Sequence, residues 1–263
     1  MIHIDDISED YDFDSDVQNK NIYTEYLQYL ILKKIFNYDF GFEIYLAGDF
    51  YNRIKFKTPR FSHSLNLISE TVNIAQRSQI NGNILKSLTL EGYKVILQQN
   101  NSPTVIKIKT DNIPLWDDER KSKDNTPIII LINFLKTEDL LGKKPVSKTQ
   151  SLNINRFDIC TRINFINPEL AMTMLTKKII KTKKITSIEL FDLYYFKNLG
   201  YSIDKKYFNK TIQGKIPGEL YKLSLKVSKP KLIKELSACA INKSGIKIDD
   251  IINDKSWIRT INI

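Results

Sequence analysis

Histidine and cysteine are scarce in this sequence, with two of each among 263 residues. Cys160 and Cys239 lie far apart and form neither a disulfide framework nor a metal-binding pair, which is typical of a reducing compartment. His3 and His63 add too few ligands for a zinc site. We therefore expect neither a zinc centre nor a disulfide scaffold.

Long apolar runs are absent too: no stretch of about 18 apolar residues occurs, which argues against a membrane-spanning helix. The first 16 residues contain seven Asp or Glu and no Lys or Arg, whereas a secretory signal needs a basic start. We predict that residues 1–16 are a disordered acidic leader. We expect the protein to be cytoplasmic, with no membrane partner.

Positive charge is unevenly distributed along the chain. Residues 168–263 contain 19 Lys or Arg and 9 Asp or Glu, so the whole formal charge of +10 lies there, and residues 1–167 are neutral. A basic region predicts a polyanionic partner, most often nucleic acid. The alternative is a lysine-rich composition in which these side chains are only solvated. The lysine clusters are Lys177, Lys178, Lys181, Lys183 and Lys184, then Lys205, Lys206 and Lys210, then Lys226, Lys229, Lys231 and Lys234.

Hydrophobic patterns predict a mixed first part of the chain, with helices at 17–36 and 74–90 and a short helix from the Gly48 turn to Lys55. The predicted strands are 42–46, 64–68, 93–97, 104–109, 128–134 and 157–165, and 128–134 is apolar enough to be buried on both faces. The predicted loops are 111–126 and 142–150.

Strand patterns nearly disappear after Asn167, which is a predicted helix cap followed by Pro168 in the first turn. The predicted helices are 169–182, 187–198, 203–211, 217–227, 229–239 and 246–253. We therefore predict an α+β fold with a boundary near Asn167. Residues 17–167 would form a mixed sheet with flanking helices, and residues 168–263 a basic helical bundle.

Two stretches of sequence resemble one family when they are taken together. The first is Leu46-Ala47-Gly48-Asp49-Phe50-Tyr51, followed by Arg60-Phe61-Ser62-His63-Ser64-Leu65-Asn66-Leu67. The second is Lys177, followed twelve residues later by Glu189-Leu190-Phe191-Asp192-Leu193-Tyr194-Tyr195. Their order and spacing resemble the nucleotidyltransferase-fold toxins of the AbiEii/AbiGii abortive-infection family, over roughly residues 20–200. The family pattern has a Gly-Gly turn, then Arg-Phe-Ser-x-Asp-Leu-Asp, then Lys before Asp-Leu-Tyr-Asp-Leu-Tyr.

The resemblance implies a toxin component that transfers a nucleoside monophosphate from an NTP, with Mg²⁺, to a protein or to a nucleic acid such as tRNA. An antitoxin protein encoded beside it would be a further partner. The implied nucleotide-binding residues are Gly48, Arg60, Ser62, Ser64 and Asn66. The implied catalytic residues are Lys177, Glu189 and Asp192. We assign nucleic-acid binding to Lys178, Lys181, Lys183 and Lys184. We expect Lys177 and the nucleotide-binding residues to converge on one cleft.

The residues that should bind Mg²⁺ depart from the family pattern. Two Mg²⁺ ions usually neutralise the phosphate oxygens during such a transfer, and Mg²⁺ prefers carboxylate oxygens. Ser64 and Asn66 occupy the two aspartate positions, and Asp49 replaces the second glycine. If 128–134 carries the third carboxylate, its position is about Leu131. We therefore assign no residue to a metal and expect degenerate metal binding.

Three interpretations of this departure stay open. The chain is a degenerate, catalytically weak or inactive member that keeps the fold and binds a nucleotide, RNA or protein; or an active enzyme that recruits other acids, such as Asp111, Asp117 or Asp118; or an unrelated α+β binding protein. Glu189 and Asp192, three residues apart on one predicted helix face, are alternatively salt-bridge partners of lysines.

Overall fold

The computed structural model describes residues 11, 16–39, 41–99, 104–109, 113, 126–136, 141, 149–237 and 248–263. The predicted acidic leader lies outside these residues except at Tyr11 and Asp16, and so do Cys239, Asp111, Asp117 and Asp118. The chain folds into two compact units. Unit 1 comprises Met1–Arg53, Phe61–Leu135 and Gln150–Phe165, and unit 2 comprises Ile54–Arg60, Lys136–Thr149 and Ile166–Ile263. The linear domain boundary near Asn167 stays a prediction.

Unit 1 is built on a seven-stranded mixed sheet with the strand order β3-β4-β5-β2-β1-β7-β6. Its strands are β1 Tyr45–Ala47, β2 Ser64–Ile68, β3 Val95–Gln99, β4 Thr104–Ile108, β5 Ile128–Leu135, β6 Thr149–Arg156 and β7 Ile159–Ile166. Strand β2 pairs in parallel with β5 and antiparallel with β1, and β1 pairs in parallel with β7. The β3–β4–β5 ladder is antiparallel. The predicted α+β fold with a mixed sheet and flanking helices is confirmed.

Three helices of the first part of the chain flank this sheet: α1 Asp16–Phe36, α2 Gly48–Phe56 and α3 Ile74–Leu90. Helix α1 packs against β5, and α3 packs against β3. On α3 the buried Asn81 Nδ2 donates a hydrogen bond to Thr104 Oγ1, 3.0 Å away on β4. Because Thr104 shares its face of the sheet with the fully buried Ile106, α3 covers that face.

The opposite face of the sheet, here called the Ser64 face, carries Ser64 and Asn66 and the residues in register with them. These residues include Tyr45 and Ala47 on β1, Ile96 and Gln98 on β3, Val105 and Lys107 on β4, Ile129, Leu131, Asn133 and Leu135 on β5, Cys160, Arg162 and Asn164 on β7, and Ser151, Asn153 and Asn155 on β6. Burial in β5 alternates residue by residue, and Ile129 is 43% exposed. The prediction that this strand is buried on both faces is therefore wrong, because on one face Ile129 is exposed and Leu131, Asn133 and Leu135 are only partly buried.

Several predicted elements match the structure and others do not. Strand 64–68 and helix 74–90 are confirmed residue for residue. The segment predicted as strand 42–46 forms a 3-10 turn, Gly41–Glu43, before the short β1. Strand β6 begins in the segment 142–150 that was predicted as a loop, and its later residues were assigned to no element. No helix of the described residues is long and apolar enough to cross a membrane.

Tyrosines contribute unusually many hydroxyl groups to the core of unit 1. Tyr23 Oη and Tyr93 Oη are 3.1 Å apart, and the Tyr29 ring packs edge-on against Phe50 at 5.2 Å. Burial raises the pKa of Tyr23, Tyr26, Tyr29 and Tyr93 well above the usual value for a phenol. These phenols therefore stay neutral as long as the unit stays folded.

The described part of unit 2 is mainly helical. Its helices are α4 Pro168–Thr182, α5 Ser187–Asn198, α6 Lys210–Gln213, α7 Ile216–Ser224, α8 Lys229–Ser237 and α9 Ile248–Ile252, with 3-10 turns at Lys205–Tyr207 and Lys255–Thr260. The Asn167 side chain accepts hydrogen bonds from the Glu169 and Leu170 amides, which confirms it as the cap of α4. Helix α4 packs against α5 and α7, and α5 packs against α8 and α9.

Residues 54–60 belong to unit 2 because aromatic contacts hold them there. The Phe56 ring lies 5.4 Å from the ring of Phe196 and 5.4 Å from that of Tyr201. The Tyr195 hydroxyl donates to the Phe56 carbonyl oxygen at 3.2 Å. Tyr195 and Phe196 thus anchor the last residue of α2.

Candidate functional site

The turn between β1 and α2 requires glycine at position 48 for two reasons. The backbone φ of Gly48 is 71°, which is a region that other residues rarely adopt. A Cβ at this position would also lie 2.3 Å from Asn66 Nδ2. The sheet therefore brings Gly48 of the first family-like motif against Asn66 of the same motif, in unit 1.

Three neutral side chains form a hydrogen-bonded group on the Ser64 face, here called the neutral triad: Ser64, Asn66 and Asn133. Asn66 Nδ2 donates to Ser64 Oγ at 3.5 Å, and Asn133 Nδ2 donates to Asn66 Oδ1 at 2.9 Å. The register pairs Asn66 with Asn133 and Ser64 with Leu131. Each member of the triad is half-buried, so a ligand could reach it.

Sequence reasoning missed Asn133 and placed the third carboxylate position at about Leu131. Leu131 does lie on the Ser64 face, opposite Ser64, but the side chain that contacts Asn66 is Asn133. A signal was present: Asn133 is the only polar residue of Ile128–Leu135. A lone amide in so apolar a strand indicates a specific hydrogen bond.

The neutral triad does not fit a Mg²⁺ pair. An amide or hydroxyl oxygen can approach a cation, but none of the three groups carries the negative charge that offsets a divalent ion. Among the residues that the structure describes, no group of three or more His, Cys, Asp or Glu could hold a metal. What the triad offers instead is hydrogen-bond donors and acceptors with no net charge.

Ser62 supports the turn that leads into β2. Its Oγ donates to the Ser64 carbonyl oxygen at 3.0 Å and accepts from the Ser64 amide at 3.2 Å. Ser62 is also only 3% exposed. These contacts position Ser64 at the start of the strand, which is a local role of the kind that serines often have in turns. Nucleotide binding by Ser62 stays a prediction.

Arg60 and Asp192 are buried against each other in unit 2. Arg60 Nε donates to Asp192 Oδ1 at 3.0 Å, and its second guanidinium nitrogen donates to Oδ2 at 2.5 Å. The side chains are 1% and 3% exposed. This two-point pair joins one residue from each family-like motif. A nucleotide contact by Arg60, or catalysis by Asp192, would have to use groups that are already paired in the interior.

Lys177 and Glu189, the other two predicted catalytic residues, also have protein partners in unit 2. Lys177 Nζ donates to the carbonyl oxygens of Tyr207, at 3.0 Å, and Leu141. Glu189 belongs to a capping box at the start of α5, where its carboxylate accepts from the Thr186 amide at 2.8 Å. Glu189 also pairs with Lys178 at 2.8 Å. The catalytic roles of Lys177 and Glu189, and their convergence with the unit 1 residues, stay predictions.

The predicted nucleic-acid-binding lysines lie at the C-terminal end of α4: Lys178 and Lys181 in its last turns, and Lys183 and Lys184 directly after it. Lys178 has the carboxylate partner named above, whereas Lys181, Lys183 and Lys184 are exposed and pair with no described carboxylate. Part of their clustering has a local cause, because the C-terminus of a helix favours cations. Lys206, Lys229 and Lys231 of the later clusters pair with acids of unit 2. Binding of nucleic acid by these lysines remains a prediction.

No protein-family model matches the sequence, and no curated protein matches it either. Among solved structures, the chain is similar to JHP933 from Helicobacter pylori at 12% identity and a TM-score of 0.52, covering 91% of this chain and 90% of that one. An antigenic nucleotidyltransferase-like protein from Paracoccidioides brasiliensis has a TM-score of 0.47 at 12% identity, with 88% and 97% covered. At this identity the first likeness supports a shared fold alone, and the second falls below the level that supports one.

Proposed function

We propose that this chain is a nucleotidyltransferase-like protein of the toxin-component type that binds a nucleotide, or the nucleotide end of an RNA, without transferring it. The neutral triad is the single observation that carries this proposal. Ser64 and Asn66 stand at the strand positions where the resembled family has two aspartates, and Asn133 donates a hydrogen bond to Asn66. A site that hydrogen-bonds but carries no charge can recognise the polar edges of a nucleotide, yet it cannot hold the two cations that phosphoryl chemistry uses.

The surroundings of the triad support binding. The Gly48 turn opens helix α2, and the N-terminus of a helix suits a phosphate because its dipole favours negative charge. Asp49, in the first turn of α2, disfavours a triphosphate by like charge, which again favours a weakly charged ligand over NTP with Mg²⁺. Partnership with an antitoxin, and tRNA as the RNA that is bound, come from the family resemblance and form part of this proposal.

Titration with mant-ATP and mant-GTP, in EDTA and in Mg²⁺, tests the metal independence. We expect the dissociation constants in the two conditions to agree within about twofold, because no carboxylate of the triad recruits the ion. The triple variant Ser64→Asp, Asn66→Asp, Asn133→Asp should acquire Mg²⁺-dependent binding. Asn153→Asp, on the edge strand β6, makes the same chemical change away from the triad and should behave as wild type.

Transfer is measured separately with α-labelled NTPs, Mg²⁺ and bulk tRNA. We expect labelling at background for the wild-type chain. Robust Mg²⁺-dependent labelling would overturn the binding-only proposal and would direct attention to Asp111, Asp117 and Asp118, which lie outside the described residues. Substituting each of these by Asn in the active chain would then identify the acid.

A further inference from the structure

The Ser64 face continues beyond the neutral triad as a half-exposed strip across β5, β4 and β3. One row of registered residues is Ile129, Lys107 and Ile96, and the next is Leu131, Val105 and Gln98. Neighbouring strands lie about 4.8 Å apart, so three strands span roughly 10 Å. Ile96 is 45% exposed and Ile129 is 43% exposed, whereas Ile106 and Ile130 on the covered face are 0% exposed. The aliphatic side chains Ile96 and Ile129 are therefore more exposed to solvent than those of the covered face on β4 and β5.

The charged side chains at the described strand positions of the Ser64 face are all positive. The described strand positions of this face carry Lys107 and Arg162 and no Asp or Glu. Two more lysines extend the strip beyond the strand ends, because the Lys109 amide donates to the Lys94 carbonyl oxygen at 3.0 Å and continues the β3–β4 ladder. Lys107 and Lys109 pair with no carboxylate in the described part of the chain. Residues 1–167 are neutral overall, so the excess of cations is local to the described strand positions of this face.

We propose that this strip, defined by Ile96, Val105, Lys107, Lys109, Ile129 and Leu131, binds single-stranded nucleic acid. A single strand offers both things that the strip can use: phosphates for the lysines, and unpaired bases whose flat faces pack on aliphatic side chains. A duplex offers phosphates but keeps its bases stacked, and an acidic peptide offers charge without flat apolar faces. The strip thus favours single strands over either.

The chemistry of the strip also sets the strength and selectivity of binding. No aromatic side chain lies among the strip residues, so the strip lacks the strong stacking of bases on aromatic rings. The cations of the strip are lysines. A lysine acts as a point charge and does not make the bidentate hydrogen bonds by which arginine recognises base edges. We expect sequence-tolerant binding that weakens steeply with salt.

Fluorescence anisotropy with fluorescein-labelled 12-residue oligo(U), oligo(dT) and a hairpin duplex, in EDTA and at low salt, tests this proposal. The wild-type chain should bind both single strands more tightly than the duplex. Lys107→Glu and Lys109→Glu should each weaken oligo(U) binding about fivefold to tenfold and reduce the salt slope by about 0.7 for each lost phosphate contact. Ile129→Ser should weaken single-strand binding and leave the duplex unchanged.

Lys86→Glu is the matched control, because Lys86 is an exposed lysine on α3, which covers the opposite face of the sheet. It makes the same charge change in the same unit and should bind within about twofold of wild type. The proposal would be overturned if Lys86→Glu and Lys107→Glu weakened oligo(U) binding equally. It would also be overturned if polyglutamate, added at the same concentration of negative charge as the oligo(U), displaced it. Oligo(U) binding that survives in the Ser64→Asp, Asn66→Asp, Asn133→Asp variant separates this strip from the proposed nucleotide site.

Discussion

Removing the carboxylate of Asp192 should be strongly destabilising. In Asp192→Ala the Arg60 guanidinium, 1% exposed, loses both of its hydrogen bonds to that carboxylate. Leaving one charge of a buried pair without its partner costs about 3–5 kcal/mol. For a chain of this size each kcal/mol corresponds to about 2–4 °C, so the melting temperature should fall by about 6–20 °C.

Circular dichroism melts and urea titrations measure the loss of stability in Asp192→Ala. Two further variants test whether this loss comes from the unpaired Arg60 charge. The double substitution Arg60→Leu with Asp192→Leu removes both charges and should recover most of the stability, because the cost lies in the unpaired ion. Glu219→Ala breaks the exposed Lys222–Glu219 pair of the same unit and should change stability by less than about 0.5 kcal/mol. A melting temperature of Asp192→Ala within about 2 °C of wild type would refute the reasoning and would favour a ligand-binding role for the pair.

Gly48→Ala should cost at least about 1 kcal/mol in urea unfolding, from the positive φ and the approach to Asn66, whereas Gly82→Ala, with no atom within 4 Å of its new Cβ, should cost nothing. The buried tyrosines should make the stability of the fold fall at alkaline pH. Their folded pKa lies above the unfolded value of about 10, so their contribution to stability is complete below that pH and is lost as the pH rises towards the folded pKa. Phenolate absorbance should therefore rise together with unfolding, and phenolate formation at ordinary pH in the folded chain would contradict this. Reversing the three exposed lysines at the end of α4 to glutamate should weaken tRNA binding in low-salt anisotropy, and an unchanged affinity would sink the polyanion hypothesis for unit 2. Those lysines are Lys181, Lys183 and Lys184.

The fold was predictable from sequence where hydrophobic periodicity was strong. Strand β2 alternates polar and apolar residues and helix α3 repeats its apolar residues at helical spacing, and both appear at the predicted residues. Strand β6 was missed because its only apolar residues, Leu152 and Ile154, are too few to mark a strand, and its pairing at the sheet edge is a tertiary effect. An unbroken apolar run, as in β5, likewise does not tell whether one face or both are covered.

Less of the candidate site could be predicted, because its contacts join distant parts of the chain. The resemblance located Gly48, Ser64 and Asn66, and the structure does bring these three together. It could not supply Asn133, which meets Asn66 through a parallel strand pair 67 residues away. Nor could it show that Arg60 and Asp192 pair with each other, since no local pattern encodes a contact over 132 residues.

That separation also sets the order in which the protein can form during its own synthesis. At about 5–20 residues per second, the ribosome makes Asp192 roughly 7–26 s after Arg60. Throughout that interval residues 54–60 have been synthesised but Asp192, and Phe196 and Tyr201 beyond it, have not, so a cation destined for the interior stays in water beside the uncovered Phe56 ring. The strands β1 to β5, by contrast, are all complete before Asp192 is made. In the nascent chain, residues 54–60 therefore wait a long time for their folded partners, and we expect a chaperone to bind this segment.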